Sequence, residues 1–137
     1  MTETALIGGL VCTHGRIAKE LVAAAKIIVQ DISHIDAVSI GWNDDVDEAK
    51  AVIEKAIQNV DQGKGVIILT DMFGGTPSNL TMSLLKTNEL EIVTGVNLPM
   101  VIKLANQSGK ESLAELVARI KEQGQKHISI ASELLGE

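Results

Sequence analysis

The sequence predicts an α/β protein built on a doubly wound sheet. Three observations predict it. Strand-length apolar runs alternate with helix-length amphipathic runs from end to end. The run Leu6 to Thr13 is apolar enough for a strand buried on both faces. The first and third strands each end in a residue suited to chemistry, His14 and Asp71, and ligands of such sheets bind beyond strand carboxyl ends.

The elements follow in order. After the first strand, Arg16 to Gln30 reads as a helix with Ile17, Leu21, Val22, Ala25, Ile28 and Val29 on one face. Ile35 to Ile40 is a second strand, and Gly41-Trp42-Asn43-Asp44-Asp45 is a loop that supplies helix caps. Val46 to Gln62 is a second helix with Val46, Ala49, Ile53, Ala56, Ile57 and Val60 inward. Gly63 and Gly65 bracket the turn into the third strand, Val66 to Thr70.

Pro77 suits the first turn of a third helix that continues through Leu80, Leu84 and Leu85. Glu91 to Val96 is a fourth strand, and Pro99 starts a short helix. Glu111 to Gln123 is another helix, with Leu113, Leu116, Val117 and Ile120 inward and Gly124 as its end. His127 to Ser132 alternates apolar and polar and reads as a last strand at a sheet edge. Chemical motifs after strands one and three make those strands neighbours, so the parallel order is 2-1-3-4.

Composition bounds the function. The 137 residues form one domain over 1–137, long enough for a real core. With one Phe, one Trp and no Tyr, that core is aliphatic and no base-stacking platform is available. A net charge of -6 also excludes a phosphate-backbone binder, so no nucleic-acid partner is expected. The single cysteine, Cys12, excludes an internal disulfide and a cysteine zinc site. No stretch approaches the ~18 apolar residues of a membrane span, and Met1-Thr2-Glu3-Thr4 lacks a signal peptide's basic region. A cytoplasmic location is the expectation.

The candidate site joins His14 to Asp71. A neutral imidazole attacks phosphorus through one ring nitrogen while the other keeps its proton, and a carboxylate accepting that N–H fixes tautomer and orientation. Gly74 and Gly75 allow close backbone approach, Thr76 and Ser78 offer hydroxyls, and the helix beginning near Pro77 points free N–H groups at the cleft. Gly15 serves similarly at the first helix. No Lys-Ser or Lys-Thr pair follows the glycines, which excludes a Walker loop. Asn97-Leu98-Pro99-Met100 forms a wall of the cleft. The acidic loop at Asn43, Asp44, Asp45 and Asp47 caps a helix rather than binding calcium, and His34 and His127 lack fellow ligands, so no metal is expected.

Three motifs then carry a resemblance that covers nearly the whole chain. Thr13-His14-Gly15, Asp71-Met72-Phe73-Gly74-Gly75-Thr76-Pro77-Ser78-Asn79 and Gly95-Val96-Asn97-Leu98-Pro99-Met100 are similar to the enzyme IIA domain of the mannose family of the bacterial phosphoenolpyruvate-dependent sugar phosphotransferase system (PTS). The resemblance implies four parallel strands with an antiparallel C-terminal edge strand, commonly exchanged between subunits of a homodimer. It implies that His14 takes a phosphoryl group at Nε2 from the phosphocarrier protein HPr and passes it to a IIB component, whose membrane partners IIC and IID move the sugar. Asp71 would bond the other ring nitrogen, and Ser, Thr and backbone groups of the Gly-Gly segment would surround the phosphate. No metal or organic cofactor is implied. The family's aromatic before the glycines is often Trp where this chain has Phe73, and the end at Glu137 implies a separate IIB partner.

Two other readings compete. A receiver-like regulatory module phosphorylated on Asp71 needs an acidic pair after the first strand, and that position holds Thr13-His14. A flavodoxin-like binding module without transfer chemistry predicts no covalent phosphate.

Overall fold

A computed structural model describes residues 4–41, 43–87 and 89–136. Four parallel strands form the sheet: β1 (Gly8–His14), β2 (Ile35–Ile40), β3 (Val66–Thr70) and β4 (Leu90–Thr94), in the order β2-β1-β3-β4. The predicted order is therefore observed. In register, His14 pairs with Ile40, and Cys12 pairs with both Val38 and Thr70. The carboxyl ends of β1 and β3 thus lie side by side.

Helices cover both faces. On one face α1 (Ile17–Val29), α4 (Leu98–Ala105) and α5 (Leu113–Lys126) bury Val11, Ile67 and Leu69 against Ala18, Leu104, Leu116 and Ile120. On the other, α2 (Val46–Val60) and α3 (Thr76–Met82) cover Leu10, Cys12 and Ile68, with Ile53 and Val60 completing the layer. Every residue of β3 is buried, as are all but the last of β1. At ~1.5–3 kcal/mol for each fully buried aliphatic side chain, these two central strands anchor the fold and fix the places of the residues at their ends.

Several elements differ from the sequence reading. The C-terminal edge strand is not formed. Residues 127–130 are irregular, and Ala131–Leu134 makes a short helix, α6. Ile128, Ile130, Leu134 and Leu135 are all exposed, so the alternation there has no sheet neighbour within this chain. The inward face of α1 is centred on Ala18 and Ala25, while Ile17 and Ile28 are exposed. Small side chains let that helix lie close to the sheet. Val46 is likewise exposed at the start of α2. Gly124 does not end α5, which continues to Lys126. A Cβ there would lie 2.6 Å from Met100 Sδ, so glycine permits close packing of α5 on α4. Trp42, expected beside the end of the second strand, lies outside the described residues.

Candidate functional site

His14 is the last residue of β1, and Asp71 follows β3 directly. Asp71 Oδ2 accepts a hydrogen bond from His14 Nδ1 at 2.7 Å and a second from the His14 backbone N–H at 3.0 Å. Its other oxygen accepts the N–H of Met72 at 3.1 Å. The carboxylate is mostly covered (14% side-chain exposure), whereas the imidazole is open to solvent (43%). Burial pushes the Asp71 carboxyl up, but the hydrogen bonds from the His14 ring and backbone outweigh it and hold it below its ordinary 3.8. An ionised carboxylate only accepts, so Nδ1 carries the proton and Nε2 presents a lone pair.

The glycine pair lies against that nitrogen. A Cβ on Gly75 would fall 2.6 Å from His14 Cε1 and 3.2 Å from Nε2, so the ring packs directly on Gly75 backbone. Gly74 turns with φ 89°, a left-handed conformation that favours glycine. Gly75 is also the N-cap of α3, where no side chain caps the helix. Pro77 has no N–H, so Thr76 and Ser78 supply the free backbone donors of that first turn. Asn79 Nδ2 donates to the Gly74 carbonyl at 3.4 Å and ties the turn back to the helix.

Other predicted residues stand differently. The Ser78 side chain is fully buried, with its hydroxyl 3.6 Å from Met82 Sδ. Gly15 donates its N–H to the Ile40 carbonyl at 3.0 Å, so that donor is already engaged. Asn97 caps α4, accepting from Met100 N at 3.2 Å, and its Nδ2 donates to the Gly124 carbonyl at 3.1 Å. It lines a groove of about 520 Å³ along the free edge of β4, reached by Phe73, Met100 and Ile128. Asp45 caps α2 through Glu48 N, and no His, Cys, Asp or Glu group among the described residues converges as metal ligands. No helix among them is long and apolar enough to cross a membrane.

Thr13 stands in a motif of the sequence reading without a role, and the structure supplies one. It is fully buried, its hydroxyl donates to the His14 carbonyl at 3.1 Å, and its oxygen accepts the N–H of Ala18 at 2.7 Å. Thr13 thereby locks the start of α1 to the end of β1 and fixes the backbone of His14. The only sequence signal was a hydroxyl residue just before a helix, displaced from the usual capping position. Cys12, one residue further back, has its thiol pushed up to about 12 by burial and by the charge of Asp71.

The comparisons with known proteins point to one family. The family described as PTS system fructose IIA component (EIIA-man) matches residues 8–121. The mannose-specific EIIAB component of the PTS of Escherichia coli (strain K12) is 32% identical over 135 residues, covering 93% of this chain. The aligned region spans 39% of that protein's own length. The fructose-specific EIIA component of Bacillus subtilis (strain 168) is 23% identical over 131 residues, covering 95% of this chain and 90% of that protein. Among solved structures, the mannose/sorbose specific IIA subunit of the phosphotransferase system from Enterococcus faecalis superposes with a TM-score of 0.81 at 28% identity, covering 91% of this chain and 94% of that one. Sheet order and these likenesses agree, and the chain belongs to the EIIA-man family of the sugar phosphotransferase system.

Proposed function

We propose that this chain is a phosphohistidine carrier, accepting a phosphoryl group from phospho-HPr on His14 and passing it to a IIB component for carbohydrate uptake or its control. The observation that carries the reading is the 2.7 Å contact between His14 Nδ1 and Asp71 Oδ2, with Nε2 free beside Gly75. As the P–N bond of the donor histidine breaks, a P–N bond forms at His14 Nε2. The proton on Nδ1 stays in place throughout. The ring becomes cationic, and the Asp71 carboxylate offsets that charge. The outgoing step is the same displacement in reverse, so neither direction needs an external base.

The phosphoryl oxygens in this reading face Gly74, Gly75 and the first-turn N–H groups of Thr76 and Ser78, with the Thr76 hydroxyl as a further donor. Ser78 contributes backbone only, because its side chain is fully buried and its hydroxyl donates to Met82 Sδ. Gly15 contributes shape, since its N–H is engaged. Working with HPr places the protein in the cytoplasm.

The working form in this reading is a homodimer. The free edge of β4, its adjoining groove and the exposed alternation at Ile128 and Ile130 support exchange of the C-terminal segments as antiparallel edge strands. Replacing Ile128 and Ile130 together by Asp is expected to give monomers by light scattering. Retained dimers would reject that assembly.

The test of the carrier role is incubation with phosphoenolpyruvate, enzyme I and HPr, followed by intact-mass measurement. One phosphoryl group is expected, lost in mild acid and absent from His14→Ala. Labelling that survives the substitution rejects the reading.

A further inference from the structure

His14 overhangs the sheet that carries it. The last register pair between β1 and β3 is Cys12 with Thr70, and His14 lies two residues beyond it. β3 ends at Thr70, so its ladder does not extend to the histidine. Side chains take its place. Asp71 Oδ2 accepts the His14 backbone N–H at 3.0 Å, and the Thr13 hydroxyl donates to the His14 carbonyl at 3.1 Å.

The same hydroxyl reaches a second element. Thr13 Oγ1 accepts the Ala18 N–H at 2.7 Å. Arg16, the N-cap of α1, gives the helix no side-chain cap, so Thr13 caps it from the strand. One oxygen thus donates to His14 and accepts from α1, and each bond polarises the O–H in favour of the other. Thr13 is fully buried, and its branched Cβ allows few rotamers, so both bonds are held in one geometry. The neighbouring strand supplies a contrast. Ser39 is the register partner of Thr13, and its hydroxyl, also shut from solvent, has no hydrogen-bond partner among the described residues.

We infer that Thr13 is a positioning residue for phosphoryl transfer: its hydroxyl ties the His14 carbonyl to the first turn of α1 and so sets the line on which Nε2 meets phosphorus. The inference rests on the phosphohistidine reading for the reaction. Asp71 holds the ring and the N–H side of His14, and Thr13 holds the carbonyl side. With the carbonyl side loose, the ring leaves its line more often and its bond to Asp71 opens more often. Thr13 itself touches no donor protein, because no part of it reaches the surface. Its loss is therefore felt in the rate of transfer and not in the affinity for the partner.

The experiment measures single-turnover acceptance from phospho-HPr over a range of donor concentrations. Thr13→Val keeps the shape and removes the hydroxyl. It is expected to lower the saturating rate by roughly ten- to hundredfold, with the half-saturating donor concentration unchanged. Thr13→Ser restores the hydroxyl and should return the rate to within about threefold of wild type. Ser39→Ala, which removes the neighbouring hydroxyl, should match the wild type. Circular dichroism checks that each variant is folded. Should Thr13→Val fail to fold, Thr13→Ala set against Thr13→Ser makes the same comparison. A Thr13→Val rate equal to the wild type overturns the inference, as does a change confined to half-saturation. A Thr13→Ser rate as low as that of Thr13→Val, or an equal loss in Ser39→Ala, overturns it too. If even the wild type accepts no phosphoryl group, the carrier reading fails by itself. Exchange of the His14 Nδ1 proton with water, followed by NMR, then judges the positioning role. Exchange about tenfold faster in Thr13→Val than in wild type and Thr13→Ser upholds it, and equal exchange overturns it.

Discussion

Asp71 Oδ2 accepts two hydrogen bonds from one residue, from His14 Nδ1 at 2.7 Å and from the His14 backbone N–H at 3.0 Å. A single oxygen therefore fixes both where the histidine sits and which way its ring turns. Asn at position 71 keeps the shape but presents either a neutral oxygen or an NH₂ to the ring. Asp71→Asn is expected to slow phosphoryl acceptance by on the order of 10²–10⁴-fold while far-UV circular dichroism stays native. Single-turnover kinetics check this, and an unchanged rate removes Asp71 from the mechanism.

The same hydrogen bonds make stability depend on acid. The Asp71 carboxyl is held below its ordinary 3.8 in the folded protein. Its stabilising contribution is fully present above about pH 4, the unfolded value, and is lost as pH falls through the lowered native value. Urea midpoints from pH 5 down to pH 2 should fall more steeply in the wild type than in Asp71→Asn. Parallel curves would show that the pair does not couple to folding.

Gly75 is the wall against which the ring packs. Because a Cβ there would lie 2.6 Å from His14 Cε1, Gly75→Ala must push the imidazole off its line. Misplacement of about 1 Å at a reacting atom costs on the order of 10²-fold in rate. Slower phosphorylation with a thermal midpoint within a few degrees of wild type is the expected result. A wild-type rate would mean the ring finds its place without that wall.

Cys12 is expected to be chemically silent. Its thiol is pushed up to about 12, so almost no thiolate exists near neutrality. A chromogenic disulfide reagent at pH 8 should leave the native protein unmodified and titrate one thiol in urea. Fast native labelling would show that β1 opens readily.

Asn97 links two helices through one side chain, capping α4 and holding the Gly124 carbonyl of α5. Asn97→Ala should cost about 1–2 kcal/mol, from a lost cap and one lost hydrogen bond. Urea denaturation measures it, and a loss under a few tenths would reject the linkage.

The sequence made the centre of the molecule legible and its margins less so. β1 and β3 announce themselves because both their faces are buried, and His14 and Asp71 are legible because they end those runs. The face of α1 was misread because Ile17 and Ile28 outrank alanine in hydrophobicity, whereas close approach to the sheet selects Ala18 and Ala25. Gly124 resembles a helix stop, but its lack of a side chain serves contact with Met100. The alternation from His127 to Ser132 states a strand's preference, and a strand needs a paired neighbour, whereas this segment does not pair with the edge strand β4. Within the site, the burial of the Ser78 hydroxyl and the engaged N–H of Gly15 depend on helix rotation and strand register, which composition does not record.

The most direct test of the central claim is the nitrogen that carries the phosphorus. Long-range proton–nitrogen and phosphorus NMR on the phosphorylated, ¹⁵N-labelled protein distinguishes the ring positions of His14. Asp71 holding Nδ1–H predicts phosphorus on Nε2, with Nδ1 still protonated. Phosphorus on Nδ1, or on any residue other than His14, would contradict it.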